Sequence, residues 1–289
     1  MMAIDAATAA RRGRLRLPSA PLIWLSLPLV LLVGVAVLAP LLPLDGARVQ
    51  DLNAVLQPPV WAGGSWSHPL GSDQLGRDVL ARLILGARLT FAIAGASMVA
   101  GLVPGTLLGL LAGYAGGPVD RVISRLADAQ LAIPALLLAM AVVASRGNSV
   151  SVLVFVFALA SWPQYARVVR AEVGSLRERP FVMGLRAAGL RERRIALRHV
   201  LPNVFGIVVV VATLQTGTIV LAESAVSFLG FGVTPPDISW GQMLADGKDL
   251  LTSAWWVAVI PGLAIALVVL NVSLLGDALA TEMDPRRKR

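Results

Sequence analysis

The sequence predicts an all-α integral membrane protein with six transmembrane helices and both termini in the cytoplasm. Three observations lead there. Of the 289 residues, 56% are hydrophobic and only 15% charged, against roughly 25% charged in soluble domains. The charges come in bursts that leave six uncharged runs, 17–44, 89–119, 129–145, 147–166, 200–222 and 250–276. Finally, the basic residues divide unevenly between the two sides that six crossings create. With the N-terminus inside, the inner segments carry Arg11, Arg12, Arg14, Arg16, Arg121, Arg125, nine arginines from Arg167 to Arg198, and Arg286, Arg287, Lys288 and Arg289. The outer segments carry Arg48, Arg77, Arg82, Arg88, Arg146 and Lys248. Cationic side chains resist translocation, so the richer side is the cytoplasm. The formal charge of +8 is thus a matter of topology and a lipid partner, not of nucleic acid.

A spanning helix needs about 20 apolar residues. Only a helix pairs every backbone group of an isolated segment in lipid. A soluble helix would need a polar face, which these runs lack. The first run holds a helix over roughly 22–42. It is too long for the apolar part of a cleaved leader, and no small-residue cleavage site precedes Pro40 and Pro43, so it reads as retained. The outer segment 43–87 contains Pro58, Pro59, Trp61, Gly63, Gly64 and Trp66, turn formers and interfacial aromatics. Within 68–88, Val79, Leu80, Leu83 and Ile84 recur at helical spacing, which suits a short helix lying flat on the outer surface.

The second helix carries Gly101, Gly105, Gly109 and Gly113 at four-residue spacing. Such a ladder bares one side of the backbone for close helix packing. Pro104, Pro134, Pro163 and Pro261 each remove a backbone donor and favour kinks, which suits a moving pathway. The third run, 129–145, has only 17 residues and spans best with Asp128 at headgroup level. No ionisable residue falls mid-membrane, which argues against proton-coupled pumps and channels. Glu223, nearest to that zone at the outer end of the fifth helix, reads first as a headgroup-level carboxylate and second as a substrate contact.

The chain has no cysteine, so disulfides, thiolate metal sites and cysteine nucleophiles are excluded. Its two histidines, His68 and His199, fall on opposite sides of the membrane and cannot share a metal. No catalytic constellation is evident. There is no GxxxxGK[ST] phosphate cradle. If transport is energy-driven, the nucleotide chemistry belongs to another polypeptide.

The longest inner excursion, 167–203, is the most informative. Pro180 can open a helix. Phe181, Leu185 and Ala188 then share a face, and Gly189 can end it in a left-handed conformation. Two turns are too short to stand alone. The apolar face suits either a soluble partner or the lipid headgroups. His199, Val200, Leu201, Pro202 and Asn203 lead into the fifth helix, with Pro202 at a first-turn position and Asn203 bracing that turn.

Four blocks carry a resemblance: HPLGSDQLGRDVLARLILGAR from His68, GLRAAGLRERRIALRHVLPN from Gly184, LAESAVSFLGFGVTPPDISWGQML from Leu221, and GDALATEMDPR from Gly276. The sequence resembles the inner-membrane permease subunits of ABC importers, above all the second permease of dipeptide, oligopeptide and nickel uptake systems. The resemblance implies the type I importer permease fold. It implies an N-terminal part at 1–84, a permease domain at 85–277 and a basic tail at 278–289. Residues 181–190 would be the coupling helix that docks on the ATPase. Gly189 is the near-constant glycine of the family motif, and His199, Leu201, Pro202 and Asn203 form its end. The motif usually opens with Glu-Ala-Ala; here Met183, Gly184 and Leu185 stand instead, so the carboxylate is missing and Met183 offers an apolar contact.

The block from Leu221 would supply an outer-face motif, with Glu223, Ser224, Phe228, Gly230, Gly232, Pro235, Pro236 and Trp240. The implied partners are a second homologous permease, two cytoplasmic ATPase subunits that hold the ATP and Mg, and an extracytoplasmic solute-binding protein. The implied cargo is short peptides, with nickel or another small solute as the alternative. A membrane scaffold that recruits a cytoplasmic protein without transport is the reading from a different class.

Overall fold

The computed structural model describes residues 20–283. The arginines at 11–16 and the basic residues at 286–289, on which much of the charge asymmetry rests, lie outside the described residues. Helix α1 (Ala20–Leu38) leads into a coil of short 3-10 turns at Ala39–Leu41, Asp45–Ala47, Leu52–Ala54 and Val60–Ala62. Helix α2 (Val79–Ala115) follows, with Asp78 capping it by accepting from Ala81 N at 2.7 Å. At 37 residues and 1.5 Å each it is about 55 Å long, well beyond the roughly 30 Å hydrocarbon layer. The surface helix expected within 68–88 is therefore no separate element. Val79, Leu80, Leu83 and Ile84 form the first turns of α2, because no helix breaker separates them from the apolar run.

Helix α3 (Gly117–Leu131) and helix α4 (Ala135–Arg146) meet at an angle of 81°. This corrects the third span: 129–145 is not one straight helix. Pro134 lacks the donor that would continue the ladder and stands at the N-cap of α4. The 12 residues of α4 reach only about 18 Å, so α3 and α4 cross as a broken pair or not at all. Helix α5 (Val150–Arg177) continues eleven residues beyond its uncharged run, and Pro163 lies inside it. Helix α6 (Pro180–Ala187) and the single turn α7 (Glu192–Ile195) follow.

A π turn at Ala196–Val200 joins α7 to helix α8 (Leu201–Val226), so that 192–231 is one span. Pro202 stands in the first turn of α8, as expected, although that turn continues from the π turn before it. The wider turn accommodates the missing Pro202 donor, and Asn203 Nδ2 donates to the His199 carbonyl at 2.5 Å. Helix α9 (Trp240–Gly247) and helix α10 (Trp256–Met283) complete the fold. Among the described residues, five helices are long and apolar enough to span, or six segments with the α3–α4 pair counted as one.

The glycine ladder sets the closest packing. A Cβ added at Gly105 would lie 2.6 Å from the Trp162 carbonyl oxygen, one at Gly109 2.6 Å from that of Ala166, and one at Gly113 2.6 Å from that of Arg170. At Gly101 it would collide with Ser161 Oγ. The constant offset makes α2 and α5 parallel neighbours. Helix α8 runs against them: its first turns pack Val204 and Val208 beside Leu110 and Val173, and its end reaches Ser239. Helix α10 again follows α2, from Trp256 beside Ser72 to Met283 beside Gly206. The bundle therefore has two distinct ends.

Candidate functional site

At one end, α6 stands across the tips of α2, α5 and α8. Pro180 opens it, and Gly189 closes it with φ 78° while Leu190 N donates to the Leu185 carbonyl at 3.2 Å. Val182, which lies off the 181–185–188 face, is the residue fully buried, in a cluster with Leu110, Val169, Val173, Leu176 and Ile195. Leu185 is half-buried at its edge. Phe181 and Met183 are 43% and 53% exposed, and Gly184, Ala188 and Gly189 are exposed beside them. One side of α6 is thus anchored and the other presents an apolar surface.

Charge holds the anchor. Glu192 Oε1 accepts from Arg186 Nε at 2.9 Å, Glu192 Oε2 accepts from the Tyr114 hydroxyl, and the Arg186 guanidinium lies 5.8 Å from the centre of the Tyr114 ring. Arg177 donates to the Tyr114 carbonyl at 2.8 Å. Glu192 first, then Tyr114, holds Arg186 above its usual pKa. The tip of α2 is thereby tied to the end of α5 and to the 186–192 part of the segment that follows. The sequence carries no signal for the Tyr114 contacts of this network, because Tyr114 and Glu192 are 78 residues apart. Gly189 to Arg198 form the rim of an arginine-lined groove of about 780 Å³ beside it. His199 is half-buried, and Pro202 and Asn203 are exposed on the first turns of α8.

The opposite end is built around two buried polar centres. Arg82, 3% exposed, bridges Asp73 at 3.5 Å and Asp246 at 3.0 Å. Asp73 also accepts from Arg77 Nε at 2.7 Å and from the backbone of Leu75 and Arg77. Burial raises the Asp246 carboxyl against the pull of Arg82 and Arg77. Glu223 is 1% exposed, which corrects its reading as a headgroup-level carboxylate. Its Oε1 accepts from Ser227 and Ser239, each at 2.8 Å, and so ties the end of α8 to the start of α9.

Around it, Ser224 donates to the Val220 carbonyl at 2.8 Å. Gly230 has φ 87° and lets the chain leave α8. Any side chain at Gly232 would meet Ser227. Trp240 donates from Nε1 to the Leu83 carbonyl at 2.7 Å and stands edge-on to Phe91. Phe228 remains exposed beneath Lys248, as do Pro235 and Pro236. Glu223, Ser224, Gly232 and Trp240 thus form one buried joint, whereas Phe228, Pro235 and Pro236 face outward.

The sequence matches, over residues 105–289, the family described as binding-protein-dependent transport system inner membrane component. It is 43% identical to the di/tripeptide transport system permease protein DppC of Pseudomonas aeruginosa, covering 90% of this chain and 86% of that protein. It is 39% identical to the dipeptide transport system permease protein DppC of Alkalihalophilus pseudofirmus, covering 88% and 82%. The fold is similar to that of a chain in the inward-facing MetNI methionine ABC transporter, with a TM-score of 0.58 and 20% identity over 71% of this chain and 97% of the other. The chain therefore belongs to the family of binding-protein-dependent transport system inner membrane components, as a multi-pass transport subunit and not an enzyme.

Proposed function

We propose that the chain forms half of the translocation pathway of an ATP-driven importer for short peptides, in residues 85–277, beside a second homologous permease. The α6 end lies in the cytoplasm, where two ATPase subunits holding ATP and Mg grip it, and the Glu223 end meets the solute-binding protein. The peptide permeases among the relatives support the cargo. The geometry of α6 carries the mechanical part of the reading: Val182 and the Glu192 network make it one body with α2, α5 and α8, while Phe181 and Met183 remain free for a partner. Coupling requires contacts that differ between two states and a link stiff enough to transmit the difference.

The test is uptake of labelled dipeptides, longer peptides and nickel in a strain lacking only this subunit, restored by the wild-type chain. Peptide uptake alone should depend on it; restoration of nickel uptake alone would replace the cargo. In the same strain, Phe181→Asp places a charge in the docking face and should lower uptake about tenfold or more, since an unpaired polar group in an interface costs about 1–3 kcal/mol. Protein abundance should be unchanged. Normal uptake would remove α6 from the transmission path. Reporter fusions after Arg289 and at Gln57 check the sidedness, with cytoplasm expected for the first and the outer face for the second.

A further inference from the structure

The break between α3 and α4 opens on a cleft of about 220 Å³ lined by Gln130, Pro134, Ser161, Gln164, Gln215 and Thr218 together with apolar side chains. The cleft is open on one side of the bundle, where Ile133, Pro134, Gln164 and Thr218 are exposed. Gln164 is 14 residues from Val150 and 13 from Arg177, the ends of α5, or about 20 Å from either at 1.5 Å per residue. Gln215 is 14 residues from Leu201 and 11 from Val226 on α8. Gln215 is thus near the middle of its crossing, whereas Gln164 stands one turn before Arg167, toward the inner end of the uncharged part of α5.

Two independent features make this place costly in lipid. The first is the carboxamides. Gln164 is exposed and Gln130 and Gln215 are half-buried, and among the described residues none of the three has a hydrogen-bond partner. The hydroxyls of Ser161 and Thr218 donate back to their own helices, at 3.2 and 3.4 Å, and make no bond to the amides. An unsatisfied polar side chain in a hydrocarbon layer is expensive. The second is the backbone, which leaves the helix after Ala132, where Ile133 N turns to the Gln130 carbonyl at 3.2 Å and Ile133 is 47% exposed. Broken helices at membrane depth persist where they are buried in protein or line a water-filled cavity, and this one is not buried within the chain.

The cleft has room for several waters at about 30 Å³ each. No residue that lines it is charged. The nearest charges, Asp128 and Arg167, neutralise each other at 2.7 Å where the cleft meets α3 and α5.

From these observations we infer that Gln130, Gln164 and Gln215 line the solute path and contact the main-chain amides of the passing solute. The inference rests on the peptide-import reading above and adds the residues and the chemistry. A carboxamide presents a donor and an acceptor together, the complement of a peptide group, and reads nothing of the side chains. A neutral lining also holds a zwitterionic peptide weakly, so that it can leave. Contacts of this kind suit passage of many peptides and poor retention of any one.

Because the chain contains no cysteine, single thiols can be placed at will. In the complete complex reconstituted in liposomes, Gln164→Cys and Gln215→Cys should react with a charged, membrane-impermeant thiol reagent about tenfold or more faster than Leu267→Cys, which is 61% exposed on α10 away from the cleft. Only a hydrated thiol ionises and reacts. Rates no faster than that of Leu267→Cys, as expected if the glutamines face lipid or bond to the second permease, would overturn the path.

The amide contact is read separately, by dipeptide uptake in the Gln164→Leu/Gln215→Leu variant. Uptake should fall about fivefold for each hydrogen bond lost, with the ATPase activity stimulated by loaded binding protein retained. Undiminished uptake in that variant, beside a wild-type complex that transports dipeptides, defeats the inference alone. A wild-type complex that takes up no dipeptide defeats the reading beneath it.

Discussion

Gly109→Ala should destabilise the protein by about 2–3 kcal/mol, the upper part of the range for overpacking, and Gly109→Leu should leave little folded protein to purify. The added methyl would lie 2.6 Å from the Ala166 carbonyl oxygen and 2.8 Å from Val169 Cβ. The first obstacle is backbone, which cannot rotate aside, so relief requires α2 and α5 to separate. Separation loosens the whole parallel pair, since Gly101, Gly105 and Gly113 make the same approach. Gly95 supplies the control on the same helix. Nothing lies within 4 Å of its added Cβ, so Gly95→Ala should be neutral or stabilising by up to about 1 kcal/mol through backbone entropy. Thermal or denaturant unfolding of the purified variants in detergent measures both. Equal stabilities at the two positions would show that the ladder is not a contact.

Arg82→Met should cost about 3–5 kcal/mol, the usual effect of removing one partner from a buried ion pair. The loss falls mainly on Asp246. Asp73 keeps Arg77 at 2.7 Å and two backbone donors, whereas the other cation near Asp246 is Arg77 at 3.9 Å. The double variant Arg82→Met/Asp246→Leu removes both charges and should recover much of the stability, giving a strongly non-additive cycle. Arg82→Met alone should also loosen the end of α9 that carries Asp246, while Trp240 holds its start to α2, visible as faster proteolysis near Asp246. Additive effects in the cycle would show that the two residues do not interact.

These two sites differ in how far they can be read before folding. The glycine ladder is legible because a four-residue period places four positions on one side of any helix. The partner of that side is not legible; α5 offers no matching period, and nearly every residue on both helices is apolar. The Arg82–Asp246 pair leaves no trace in the sequence, since its members are 164 residues apart. Arg82 looks like one more outer cation. Glu223 misleads for a related reason: its position near the end of an apolar run suggests the membrane surface, and only the return of the chain through Ser239 and Trp240 encloses it.

The boundaries of α6 followed from Pro180 and Gly189, yet its buried anchor, Val182, depended on which neighbours the bundle brought to it. By itself the sequence determined that the chain spans the membrane, roughly where, and which short segment is bounded to form a separate helix. Those are consequences of hydropathy and of backbone sterics, which act within a few residues. Tertiary structure alone decided that the kink signalled by Pro134 opens to 81°, that three distant glutamines share a cleft, and that Arg82 and Glu223 are buried. Each of these depends on contacts between segments far apart in the chain, and no local pattern records them.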